Sequence, residues 1–206
     1  MTSPPNPNII PRYTNIASFY RLPIYNDTLE LPDDKKTIGI IGIPFDGGCT
    51  FRPGARFGPE AVRNASRIVR PYSLFHKIDL FNKYNCIDLG DIITNPFNIS
   101  KTIDMINNQV SDLYSIADHI YTIGGDHTIS YPLLKAVNTK FGKVSLIHFD
   151  SHFDTSDSYF EEKLTHGTPF KRVFEDDLID VGRSIHVGIR GTVTHKDDVD
   201  NDKKLG

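Results

Sequence analysis

The chain has 206 residues, with 23 basic and 26 acidic side chains for a formal charge of 23 − 26 = −3. That balance supplies no basic footprint for nucleic acid and no polyacidic tail, and no apolar run approaches the roughly 20 residues that cross a bilayer. Cys49 and Cys86 lack a paired spacing and the N-terminus lacks the basic-then-apolar order of a signal peptide, so a soluble cytoplasmic protein is expected, without disulfides.

Residues 1–35, rich in Pro and Asn, read as a surface arm, and 36–206 as one α/β domain without internal repeat or linker. "TIGIIGI" (37–43) is a continuous apolar run, the pattern of a strand buried on both faces. A Gly- and Pro-rich loop follows, then a helix with Pro59 at its first position and Glu60 in its first turn. Its residues Ala61, Val62, Ala65, Ile68 and Val69 fall on one stripe. "NCIDLGD" (85–91) predicts a second strand. A helix is predicted from about Ser100, its N-cap, to His119, burying Ile103, Ile106, Val110, Leu113 and Ala117. Strand "HIYTI", a helix around "YPLLKAV", strand "VSLIHF" (144–149), a helix from Pro169 and strand "SIHVGI" complete the order. Such alternation predicts a mostly parallel sheet with helices on both faces.

Ligands of open parallel sheets bind beyond the carboxyl ends of the strands. Two polar clusters stand there: "GGDH" (124–127) and "DSHFD" (150–154). If extended geometry persists past Phe149, a period of two points Asp150, His152 and Asp154 the same way, and His127 reaches the same point from a neighbouring strand. Burying such groups unpaired costs roughly several kcal/mol each, which a metal ion would offset. Mixed imidazole and carboxylate donors suit manganese, zinc or iron(II) rather than calcium. His119, His148 and His186, within or beside strands, read as core or surface residues. Asp126 either holds an imidazole or caps the following helix. Asp157, Glu161 and Glu162 read as a solvated loop.

Four stretches, "GIPFDGGCTFRPGARFGPEAVR", "IGGDHTISYPLL", "HFDSHFDT" and "THGTPFKR", together and in this order, resemble the ureohydrolase family of arginases, agmatinases and guanidinobutyrases. The resemblance covers roughly 36–206 and lies nearest agmatinase and its guanidino-acid relatives. It implies a three-layer α/β/α sandwich and a pair of manganese ions. His127 and Asp154 would hold one ion, His152 the second, and Asp150 would bridge them. His166 matches the family's proton-shuttling histidine. Ser151 replaces the usual alanine without touching the ligand set.

The implied reaction is hydrolysis of an agmatine-like guanidino compound to urea and an amine by metal-bound hydroxide. Guanidine carbon is a poor electrophile, and a metal pair lowers the pKa of water from about 15.7 toward 7. The leaving amine needs a proton, which a histidine can carry. The family's motif S-[FL]-D-x-D, source of two further aspartate ligands, is not in this sequence; "DDVDND" (197–202) lacks a preceding apolar strand and is not equated with it. The expectation is a fold incomplete at its C-terminus, with an open sheet edge. Alone, such a chain would hold at most one manganese weakly and release urea slowly. The alternatives are a guanidino-acid hydrolase and an impaired relative acting as a binding or assembly partner. The expected partners are a small guanidino substrate and further copies of the chain, as a trimer or hexamer.

Overall fold

The apolar run Thr37–Ile43 is strand β1, with every residue but Ile38 buried, as a strand covered on both faces requires. The structure, a computed structural model, describes residues 2–193 and 196–205. After β1 come helix α1 (Gly58–Ala65), strands β2 (Tyr72–Ser73) and β3 (Ile78–Asp79), helix α2 (Leu80–Lys83) and strand β4 (Asn85–Asp91). Helix α3 (Ile99–Leu113), strand β5 (His119–Gly124), helix α4 (Ser130–Phe141) and strand β6 (Ile147–Phe149) follow. Helix α5 (Pro169–Glu175), strand β7 (Ile185–Val187) and helix α6 (Asp198–Leu205) close the order.

The chain divides into two compact units. One comprises Met1–Pro44, Gly54–Ile93 and Asp112–Gly125, the other Phe45–Pro53, Thr94–Ser111 and Asp126–Gly206. In the first unit β4, β1 and β5 form a parallel sheet in that order. Its core holds Phe19, Leu22, Ile40, Phe81 and Cys86. The Pro- and Asn-rich N-terminal stretch is thus anchored, because two of its few large apolar side chains leave the surface. Burial also pushes the Cys86 thiol up to about 11.

Asp88 on β4 ties three segments together. Its carboxylate accepts the Phe19 N–H at 2.9 Å, the Gly90 N–H at 2.9 Å and a two-pronged contact from Arg63 of α1 at 3.0 and 3.1 Å. The Arg63 guanidinium also lies over the Phe19 ring, 4.0 Å from its centroid. Both charged side chains are largely buried. Without Asp88, Arg63 keeps its contact with Asp91 at 2.6 Å, but the Phe19 and Gly90 N–H groups lose their acceptor. Asp88→Ala should therefore cost about 1–3 kcal/mol and lower the melting temperature by roughly 2–12 °C. An unchanged thermal melt would show that solvent compensates for the missing carboxylate.

Two helices differ from expectation for local reasons. The α-helical turn of α1 stops at Ala65 and tightens into a 3-10 turn, Ser66–Ile68. The tighter winding carries the predicted stripe off line, and Ile68 and Val69 stand exposed while Val62 packs on the core. Helix α3 starts one residue before Ser100, and the cap is Asn98, whose Oδ1 accepts the Lys101 N–H at 2.8 Å. It ends at Leu113 rather than His119, because His119 already pairs with Ile38 in β5. Ile103, Ile106 and Val110 are buried as predicted, and Ala117 is buried in the turn that follows.

In the second unit β6 and β7 pair in parallel, with Ile147, His148 and Phe149 opposite Ile185, His186 and Val187. The predicted strand 144–149 is shortened to three residues, and Val144 instead makes a lone parallel bridge to Ile179. Phe170, Val173, Leu178 and Ile179 form the core, with Tyr131 and Leu134 of α4 packed against it. Among the described residues β5 pairs only with β1 and β6 only with β7, so each leaves one edge unpaired. On the outer face of β6 and β7, Ile147, Phe149, Ile185 and Val187 are exposed. No described helix is long and apolar enough to cross a membrane.

Candidate metal centre

Asp150 is the last residue held by the β6–β7 ladder: its N–H donates to the Val187 carbonyl at 3.1 Å. Beyond it the extended run stops, and Asp154 adopts left-handed backbone at φ 54°, which aspartate tolerates better than most residues. The alternation expected for Asp150, His152 and Asp154 therefore fails. Asp154 turns back so that its Oδ2 lies 2.7 Å from His127 Nδ1. The His152 side chain is 71% exposed. It keeps contact with Asp150 through its own N–H, which donates to Asp150 Oδ1 at 3.0 Å.

His127 opens a 3-10 turn after β5, and Asp126 caps that turn by accepting the Thr128 N–H at 2.8 Å. The second oxygen of Asp126 accepts the Gly48 N–H at 2.8 Å. Of the two roles expected for Asp126, the structure has it capping the helical turn. Burial pushes its carboxyl up, against those hydrogen bonds.

Four residues bring one ligand atom each within 4.8 Å of one another: His127, His148, Asp150 and Asp154. Three are expected members. The fourth, His148, is as buried as its reading as a core residue requires, at 8% exposure, yet it belongs to the cluster. The period of two that failed beyond Phe149 holds within the strand, and counted back from Asp150 it lands on His148. Its ring stacks on His127 at 5.3 Å between centroids and meets Phe170 edge-on at 4.5 Å. Its Nδ1 lies 2.7 Å from His186 Nδ1. Its Nε2 is buried without a hydrogen-bond partner among the described residues, 3.6 Å from Asp150 Oδ2.

Burial, reinforced by the His127 and His186 rings, holds His148 below the usual histidine range, although Asp150 and Asp154 pull the other way. A neutral imidazole is the form that binds metal. Burial works against the Asp150 carboxylate, but backbone hydrogen bonds from His152 and Ser151 and the neighbouring histidines outweigh it and lower its pKa.

A cleft of about 680 Å³ is lined by His152, Asp154, Tyr159, His166, Arg190 and Asp202, among others. His166 Nε2 is 2.8 Å from the Thr50 hydroxyl, its ring lies parallel to Tyr159, and its N–H donates to the Gly48 carbonyl at 3.0 Å. A Cβ at Gly48 would collide with the Thr128 hydroxyl, so the loop holding Thr50 can lie this close only with glycine there. The "DDVDND" stretch is helical from Asp198, not a strand, and Asp198 and Asp202, one turn apart, line the same cleft. Asp157 is more than a solvated loop residue: it accepts from the buried Arg172 guanidinium at 2.6 Å. Glu161 and Glu162 are exposed, as expected.

Residues 36–206 match the Arginase family. The chain belongs to the arginase family. It is 37% identical over 199 residues to the guanidinobutyrase of Pseudomonas aeruginosa, an alignment covering 97% of this chain and 62% of that protein. It is 36% identical to the mitochondrial agmatinase of Gallus gallus, covering 92% of this chain and 54% of that one. The solved proclavaminate amidinohydrolase of Streptomyces clavuligerus superposes with a TM-score of 0.85 at 34% identity, covering 95% of this chain and 64% of that structure. The chain thus spans between 54% and 64% of the length of these relatives. The expected α/β fold with mostly parallel strands is the fold of this family member. The donor set, imidazoles with carboxylates and a buried nitrogen left without a partner, fits a divalent transition metal.

Proposed function

We propose that this chain carries the metal-binding core of a manganese-dependent ureohydrolase that cleaves an agmatine-like guanidino compound to urea and an amine. The observation that carries the reading is the convergence of His127, Asp150 and Asp154 donors within 4.8 Å in a chain of the arginase family. The family assignment of His152 to a second ion belongs to the same proposal, supported by its place on the cleft wall. A metal pair, when bound, supplies water acidic enough to attack at neutral pH.

The chain's own residues do the rest. Asp154, Asp198 and Asp202 on the cleft wall draw in a guanidinium cation. The carbon attacked gains oxygen as a fourth substituent while its C=N π pair moves to nitrogen, and the tetrahedral species then collapses to urea as the C–N bond to the substrate chain breaks. The departing nitrogen must take a proton, and His166, held at the cleft by Thr50 and stacked on Tyr159, is the group placed to pass one. The outer apolar face of β6 and β7 supports the further reading that the working protein is an assembly of copies.

A second reading, a guanidino acid as substrate, is favoured by Lys171 and Arg190, which line the same cleft and would meet a carboxylate tail. One panel separates the two. With manganese present, urea release from agmatine should exceed that from 4-guanidinobutyrate, arginine and guanidine; the reverse order between the first two selects the guanidino acid. No urea from any of the four would overturn the hydrolase reading for this chain.

A further inference from the structure

We infer that Thr50 is a positioning residue for the reaction proposed above: its hydroxyl fixes the direction of the His166 imidazole, and a strap of backbone from Phe45 to Thr50 carries that hydroxyl. The inference rests on the reading of His166 as the group that passes a proton, and adds to it the residue through which that histidine is aimed.

The first observation is a hold at two points on one residue. The His166 N–H donates to the Gly48 carbonyl at 3.0 Å, and its ring Nε2 lies 2.8 Å from the Thr50 hydroxyl. Backbone and ring are thus tied to the same short stretch of chain. A histidine held by its backbone alone is free to turn about its two side-chain bonds; the second tie removes that freedom. Tyr159, with its ring parallel at 6.3 Å between centroids, limits the swing on one side.

The second observation is what holds the strap. The Phe45 carbonyl accepts the Asp126 N–H at 2.8 Å, and the Gly48 N–H donates to the Asp126 carboxylate at 2.8 Å. Between them the Cys49 N–H closes a turn onto the Asp46 carbonyl at 3.2 Å. Phe45, Asp46 and Gly48 are buried, whereas Thr50 is exposed. A hydrogen bond between two free surface side chains adds little, because water competes and both chains must be ordered. Here the strap has ordered the backbone of one partner in advance.

The third observation is the chemistry of the partner. A hydroxyl both donates and accepts. It can donate to a bare Nε2 and, after rotating about its C–O bond, accept from a protonated one. The contact therefore survives both halves of a proton transfer. A carboxylate in that place would favour the charged ring, and an N–H donor the neutral one.

Thr50→Val removes the hydroxyl and keeps the shape of the side chain; Thr50→Ser keeps the hydroxyl. Because Thr50 is exposed, neither change removes core packing. In a manganese-loaded full chain that releases urea from agmatine, Thr50→Val should lower kcat by about 10-fold or more, as a misaimed group does. KM and bound manganese should stay at the parent values, and Thr50→Ser should restore kcat. Full turnover in Thr50→Val overturns the inference. Equal losses in both variants overturn it too, since the hydroxyl would then not be what matters. A measurement without turnover separates this from the hydrolase reading: nitrogen-15 resonance of the histidine-labelled chain, with the His166 signals identified by their loss in His166→Ala. The Nε2 signal should move in Thr50→Val and keep its parent position in Thr50→Ser. An unmoved signal in Thr50→Val overturns the inference whatever the chain hydrolyses. A moved signal in a chain that releases no urea supports the hold on His166 and overturns the hydrolase reading alone.

Discussion

Replacing Asp150 with alanine should strip the chain of bound manganese. Asp150 stands at the last rung of the β6–β7 ladder, where the Val187 carbonyl fixes its backbone. Its carboxylate shares the 4.8 Å cluster with two imidazoles and Asp154. Burial works against its charge, but backbone hydrogen bonds from His152 and Ser151 lower its pKa, so it offers negative charge to a cation. Without it, the cluster keeps one carboxylate for an ion of charge +2, and nearby imidazoles add no compensating charge. Removing a group that only orients a ligand typically weakens binding about 10–100-fold; removing this carboxylate should exceed that range. Metal content after equilibrium dialysis, read by elemental analysis, checks the result. Full occupancy in Asp150→Ala would mean that the ion sits elsewhere.

His166→Ala should leave metal content untouched and cut turnover by about 10²-fold or more in a preparation that releases urea, the low end for a lost general acid or base. The competing role for this histidine is a helix cap ahead of α5. The structure gives it different work: its ring nitrogen meets Thr50 rather than a helix N–H, and the cap position of α5 has no side-chain cap bond. The loop carrying Thr50 is pinned in turn by the Gly48 hydrogen bonds to Asp126 and His166. Urea release measured from pH 7 to 10 with saturating manganese tests the assignment. A profile unchanged from the parent protein would remove His166 from proton transfer.

Much of the fold is legible in the sequence where local pattern and tertiary environment agree. β1 and β4 run over the residues predicted, Thr37–Ile43 and Asn85–Asp91: the apolar run of β1 has one buried placement, and in β4 hydrogen bonds satisfy the buried Asn85 and Asp88. The buried face of α3 follows its three-and-four spacing. Misplaced ends have causes outside the window read: His119 leaves its predicted helix to pair with β1, and the 3-10 turn after Ala65 spoils a stripe that was regular on paper. The short hairpin of β2 and β3 carries no strong periodic signal in two-residue strands.

The sequence by itself determined the chemistry available: histidines and aspartates at the ends of strands, four ordered motifs, and through them the arginase family. Which side chains meet was decided only by the tertiary structure. His148 joins His127, Asp150 and Asp154, while His152 faces the cleft. The reason is that side-chain direction follows the backbone, and the backbone stays extended only while a partner strand holds it. That partner is β7, some forty residues away, and its last hydrogen bond falls at Asp150.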